Sequence, residues 1–277
     1  MFKRYRPFFK AGSMDLMAFK FNIFSWLIVS VLEVTCLVFL WIAVYKNSND
    51  QMNSIINGFS FKEMITYLVM INIFNFVAFD GTTSWTINQE IKDGTIAMAF
   101  VKPISYRKRF IFTNLGVVST LFLMLGIPMI SLAYIVFSSL GYIQIGSILS
   151  LLVYIVLFLI SALLATMLND VINYIFGVFS FYTTAGFGLN TIRQVIINFL
   201  SGTLLPLSFF PKAFEKIVSF MPFAGMAQNP ILILLMKVSY LDAIKLIGLS
   251  LIWLIILEIL ASLLFKHASK KITVQGG

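Results

Sequence analysis

Residues 147–168 read SILSLLVYIVLFLISALLATML, a run of 22 without one charge. A helix needs about 20 apolar residues to cross a hydrocarbon core of about 30 Å. This stretch is long enough, and it would carry no bare charge into lipid. Working outward, the same ruler finds further spans at 23–45, 64–87, 111–137 and 243–265. The composition agrees: of 277 residues, 60% are hydrophobic, 16% aromatic and 11% charged, with mean hydropathy +0.95. A soluble domain carries charge on about a quarter of its residues. The chain therefore reads as an all-α polytopic membrane protein. No Pro/Ser-rich or charged stretch is long enough to be a linker, so residues 1–277 form one membrane domain.

Charge orients the spans. Of the 20 Lys and Arg, five precede the first span (Lys3, Arg4, Arg6, Lys10, Lys20). Five more lie between Glu90 and Phe110 (Lys92, Lys102, Arg107, Lys108, Arg109), and Lys266, Lys270 and Lys271 follow the last span. The excess of positive charge on cytoplasmic segments puts both termini and the 88–110 loop in the cytoplasm of a cell membrane. Two cytoplasmic termini require an even number of crossings. Of the apolar stretches 171–189 and 195–207, only one can then cross. The choice made is a sixth span at about 190–207, with 171–189 extending or following the fourth helix. Pro206, Pro211, Pro222 and Pro230 break the next segment, because proline disrupts helices. Residues 206–236 are expected as a re-entrant hairpin on the outer face, covered by protein or water. Residues 1–22, where Phe8, Phe9, Leu16 and Met17 mix with Lys10 and Asp15, suit an amphipathic helix along anionic inner-leaflet lipid. No cleavage site follows them, so they are not a signal peptide. Residues 266–277 are a basic cytoplasmic tail.

Much chemistry is missing. Cys36 is the one cysteine, which excludes an internal disulfide and a thiolate metal cluster. His267, in the basic tail, has no second histidine for acid–base work or for a metal. No G-x-x-x-x-G-K-[ST] run occurs, so the chain has no phosphate-binding loop of its own. The net charge of +9 follows from topology and anionic lipid, and nucleic acid is set aside. Glu33, Asp80 and Glu258 fall in or near spans, where acids usually face the bundle interior. They lie at different heights with no Arg or His partner in view, which makes a poor ion pathway.

The most specific segment is residues 88–109, NQEIKDGTIAMAFVKPISYRKR. It has a polar start, a glycine that permits a sharp turn, a short apolar run and a proline stop before a basic cluster. By itself this is a surface loop with a small amphipathic element. It resembles the connector of the second type of ATP-binding-cassette exporter permeases, which carries an acid, a Gly-Thr pair and a later proline; the matching residues are Glu90, Gly94, Thr95 and Pro103. Residues 200–211, LSGTLLPLSFFP, resemble the same family's S-G-x-x-x-P-x-x-x-x-P signature through Ser201, Gly202, Pro206 and Pro211, and Pro222 resembles the turn of the hairpin that follows. Gly276 and Gly277 after a basic stretch resemble the ending of a bacterial drug-efflux branch. Phe181 and Tyr182 stand where that branch has a Phe-Trp element, and no role is carried onto them.

The resemblance implies a permease that forms the substrate path of an ATP-driven exporter for an amphipathic drug, peptide, lipid or glycan precursor. Such a chain has no cofactor of its own; ATP and Mg belong to a separate cytoplasmic ATPase, present in two copies. Glu90, Lys92, Asp93, Gly94, Thr95 and Pro103 would form the coupling element, with Arg107–Arg109 as further docking surface or lipid anchor. A second permease subunit, identical or paralogous, would complete the path, with Glu33, Thr35, Asn72, Asn75 and Asn198 among its polar residues. The alternatives are a stand-alone secondary transporter or channel, which needs an inverted repeat that the halves do not show, and a lipid-modifying enzyme, against which the lone histidine argues.

Overall fold

A computed structural model describes residues 2–18, 20–48, 53–78, 82–101, 103–143, 147–183 and 186–271. Asp80, Lys102, Gly276 and Gly277 lie outside the described residues. Among the described residues, five helical stretches are long and apolar enough to cross a membrane: Phe21–Lys46, Phe61–Lys92, Tyr106–Ser139, Ile148–Phe179 and Tyr240–Ala268. They cover the five spans read from the sequence; four are extended by one to five residues at each end, while the fourth starts one residue later, at Ile148, and runs 11 residues further, to Phe179. They correspond to α2 (Lys20–Lys46), α3 (Phe61–Ala78) with α4 (Thr82–Lys92), α6 (Tyr106–Leu121) with α7 (Ile127–Ser139), α8 (Ile148–Phe179) and α12 (Tyr240–Ala268).

Local chemistry sets several boundaries. Ser147 caps α8 by a reciprocal pair of bonds with Ser150, and Ser239 caps α12 by accepting from the Asp242 amide. Between α6 and α7, Phe122–Gly126 widens into a π-helical turn just before Pro128, which has no N–H to give to the preceding turn. Asn57 and Gly58, both at positive φ, turn a two-residue hairpin of β1 (Ile55–Ile56) and β2 (Phe59–Ser60) ahead of α3.

The helix α8 takes in residues 171–179 of the 171–189 stretch. Its 32 residues make it about 48 Å long, well over the hydrocarbon thickness. Residues 171–179 therefore extend the fourth span past the hydrocarbon, and no new crossing begins there.

The expected sixth span, 190–207, needs correction. The helix found there, α9 (Gly186–Leu200), begins four residues earlier and ends seven residues sooner. Gly202, at φ +85°, and then Pro206 stop it. Its 15 residues cover about 22 Å. Non-helical backbone follows, and such backbone at depth must have its polar groups satisfied by protein. The Tyr67 hydroxyl donates to the Gly202 carbonyl at 2.7 Å, the Gln228 amide N–H to Ser201 O at 3.0 Å and the Leu207 N–H to Gln228 Oε1 at 2.7 Å.

Residues 206–236 form a helical hairpin of α10 (Lys212–Phe220) and α11 (Gln228–Leu234). It sits toward the end of the bundle opposite the 88–109 loop, and its turn is deep. A Cβ on Gly225 would collide with Ser250, ten residues or about 15 Å into α12. The Trp253 indole donates to Phe220 O at 2.7 Å. One core cluster lies toward this hairpin end, around Tyr67, Phe74, Phe158 and Ile231; a second lies toward the loop end, around Ile87, Tyr106, Leu168 and Tyr174.

The N-terminal helix α1 (Phe2–Ala18), expected along the inner membrane surface, is packed along α6. Glycines make this possible: a Cβ on Gly12 would strike the Thr113 carbonyl, and one on Gly116 would strike the backbone of Phe9. Ser13 donates to Gly116 O at 3.1 Å, Tyr5 accepts from the Ser105 amide at 3.1 Å, and its ring stacks on Phe112. Gly116→Val is expected to push α1 off α6, since the obstructing atoms are backbone and cannot yield, at a cost of about 1–3 kcal/mol. Trypsin cleavage at the exposed Lys10 should accelerate several-fold in that variant; an unchanged rate would refute the packing argument.

Candidate functional site

The 88–109 loop turns on Gly94. The helix α4 ends at Lys92, Gly94 takes φ +70°, and the Ile96 amide donates back to Glu90 O at 3.0 Å. The chain then enters α5 (Ala97–Val101), with Ile96 buried in the loop-end core beside Tyr106 and Tyr174. Lys92, Asp93, Gly94, Thr95 and Pro103 are exposed. So are Met98 at 57% and Val101 at 79%, which gives the tip an apolar surface.

Glu90 does not belong to that surface. Its carboxylate takes two bonds from Arg109 Nη2, at 2.7 and 2.8 Å, and one from the Tyr106 hydroxyl at 2.8 Å. The Arg109 guanidinium lies over the rings of Tyr106 and Phe110. This tie joins the end of α4 to the start of α6, the two legs of the loop.

Arg107, read in the sequence with Lys108 and Arg109 as docking surface, also turns inward. Nη1 meets Asp170 Oδ2 on α8 at 2.6 Å, while Nη2 and Nε hold both oxygens of Glu258 on α12, at 2.6 and 3.1 Å. The guanidinium also covers the Tyr174 ring, 4.8 Å from its centre. The second Asp170 oxygen accepts from the Thr83 hydroxyl on α4 at 3.0 Å. Side-chain exposure is 11% for Arg107, 4% for Asp170 and 31% for Glu258. The expectation that the span acids lack an arginine partner is thus overturned for Glu258. One cluster binds α4, α6, α8 and α12, and both loop legs enter it.

The pairing escaped the sequence reading because the hydropathy ruler ended the fourth span at 168 and left Asp170 outside. Thr166, Asn169, Asp170 and Asn173 recur at helical spacing in an apolar run, which was the available sign of an inward polar stripe. Of the expected path residues, Glu33 and Thr35 stand exposed on α2, with Thr35 bonded to Val31 O. Asn72 is buried and donates to Leu68 O, and Asn198 is half-buried on α9. Asn75 donates to Thr203 at 2.8 Å, next to the bond between Ser201 and Thr203. The five are not gathered in one place. Ser201, Gly202 and Pro206 are buried together against α3 and α11, Pro211 starts α10, and Pro222 lies in the hairpin turn.

A bundle of long apolar helices, with a polar tie locking one inter-span loop to its interior, is the architecture of an α-helical polytopic membrane protein. A family model described as "ABC-2 family transporter protein" matches residues 22–276, and the chain belongs to that family. It is a membrane-embedded permease subunit of an ABC transporter, in a family that generally works with a separate ATPase subunit. Neither the curated proteins nor the solved structures give a match.

Proposed function

We propose that this permease exports an amphipathic compound and that its 88–109 loop is the coupling element for an ATPase docked at that end of the bundle. The observation that carries this reading is the double tie of the loop. Glu90–Arg109 joins its two legs, and Arg107 with Thr83 joins those legs to α8 and α12 through Asp170 and Glu258. A push on the exposed tip at Asp93, Gly94, Thr95 and Met98 then moves four helices as one body. The tip offers what a groove on a partner can hold: an apolar pair at Met98 and Val101 beside Lys92 and Asp93.

The loop end faces the cytoplasm in this reading, as the clustered Lys and Arg require, and the α10–α11 hairpin faces outward. The protein sits in a cell membrane of bacterial type with two ATPase copies, which hold the ATP and Mg. A second permease covers the exposed face of α2 with Glu33 and Thr35, and the path runs between the two subunits past Asn72, Asn75 and Asn198. The test is purification of the tagged chain in mild detergent, with identification of co-purifying proteins and an ATPase assay. A stoichiometric soluble ATPase with ATP hydrolysis is expected. A stable oligomer without either would move the reading to a channel or secondary transporter.

A further inference from the structure

A cavity of about 590 Å³ lies between α1, the start of α2, α3, α4 and α6, and borders the charged cluster around Arg107 at Thr83 and Asn114. Its size is that of a small-molecule site. It extends along α6 from Arg109 to Leu121, twelve residues or about 18 Å. Much of its wall is apolar, with Phe110, Val117 and Leu121 from α6, Phe76 from α3 and Trp26 from α2.

Two amide groups in this wall are short of partners. Asn114 is 4% exposed and its Nδ2 is buried with no hydrogen bond, although it lines the cavity. Asn75 uses its Nδ2 on Thr203, yet its Oδ1 is buried without a donor. Such orphaned groups are rare and costly inside a protein. One offers a donor and the other an acceptor, so a plain acyl chain would leave both unpaired. At the rim, Asp15 is exposed and has no ion-pair partner among the described residues, while the charges of Glu90 and Arg109 are spent on each other. Among the described residues, the lining therefore carries one unspent negative charge, with the exposed Trp26 indole also in the wall.

We propose that this cavity binds an amphipathic organic cation: a protonated amine held near Asp15, an aromatic or aliphatic body along Phe110, Val117 and Leu121, and an internal polar group bonded to Asn114 and Asn75. This assigns a substrate class and an entry site to the exporter proposed above, and it rests on that reading for the word substrate; the binding itself does not.

Dansylcadaverine, which carries an amine, a sulfonamide and a naphthalene ring, is a suitable probe. Titrated into the full chain in lipid nanodiscs without nucleotide, it should accept energy from Trp26 and saturate. Trp26→Phe should lower the saturable signal, with Trp85, beside the lining Thr82 and Thr86, as the other nearby donor. Asn114→Leu should weaken binding about tenfold, the usual worth of one buried hydrogen bond. Asp15→Asn, at an exposed position without an ion-pair partner among the described residues, should weaken it several-fold, and N-acetylated dansylcadaverine should bind equally poorly to both proteins. Linear, non-saturating transfer that ignores all three substitutions would be bilayer partitioning and would overturn the site. Binding of the acetylated probe as tightly as the amine would overturn the cationic assignment. Saturable binding to a chain that recruits no ATPase would sink the exporter reading and leave the site standing, whereas a coupled ATPase with no saturable binding would sink the site alone.

Discussion

Arg107→Leu is expected to abolish stable expression of the folded protein. The substitution leaves Asp170 facing α6 with one remaining partner, Thr83, and leaves Glu258 without the guanidinium that holds both its oxygens. Removing one member of a buried ion cluster costs about 3–5 kcal/mol, because the acids stay buried and uncompensated. That is a large share of the 5–15 kcal/mol that holds a typical domain together. Glu258 is one-third exposed, so most of the loss falls on Asp170. The readout is the monodisperse yield and thermal midpoint in mild detergent. The triple variant Arg107→Leu with Asp170→Leu and Glu258→Leu separates two explanations. Apolar residues in all three places remove the unpaired charges, and folding should return. Coupling should not return, because the directional tie from loop to α8 and α12 is gone. A single variant with wild-type yield would show that the cluster holds little together.

Glu90→Ala is expected to reduce substrate-stimulated ATP hydrolysis at least tenfold while the ATPase still co-purifies. The reason is where Glu90 points. Its carboxylate is spent on Arg109 and the Tyr106 hydroxyl inside the chain, so the exposed tip at Lys92, Asp93 and Met98 keeps its shape for docking. The link between tip and bundle is what disappears, together with the three bonds that the carboxylate accepts from Arg109 and Tyr106. Gly94→Val should behave in the opposite way. Open space surrounds Gly94, so the cost is strain at φ +70°, which reshapes the tip and weakens docking itself. If Glu90→Ala lost the ATPase while coupling per bound ATPase stayed normal, the carboxylate would be a contact to the partner, and the internal tie would not be its role.

Much of the architecture was legible in the chain. Lipid offers no hydrogen bonds, so each crossing must be a long apolar helix, and such helices announce themselves in hydropathy. The turn at Gly94 was equally visible, since only glycine takes a left-handed conformation at no cost. The end of α9 was misplaced because apolarity continues through Leu204 and Leu205, while the stop comes from Gly202 and from partners on α3 and α11 that lie far along the chain.

The sequence by itself determined that this is an all-α membrane protein, where its five long spans lie, and that a glycine-turned, proline-stopped loop interrupts them. Tertiary structure alone decided that Arg107 and Arg109 point inward, that α1 lies on α6 through Gly12 and Gly116, and that Asn75 and Asn114 share a cavity wall. The physical reason is range. Burial of a helix in lipid depends on each residue's own transfer energy and sums along the chain. Ion pairs and close backbone contacts depend on distance between residues 63, 101, 107 or 151 positions apart, and only packing sets that distance.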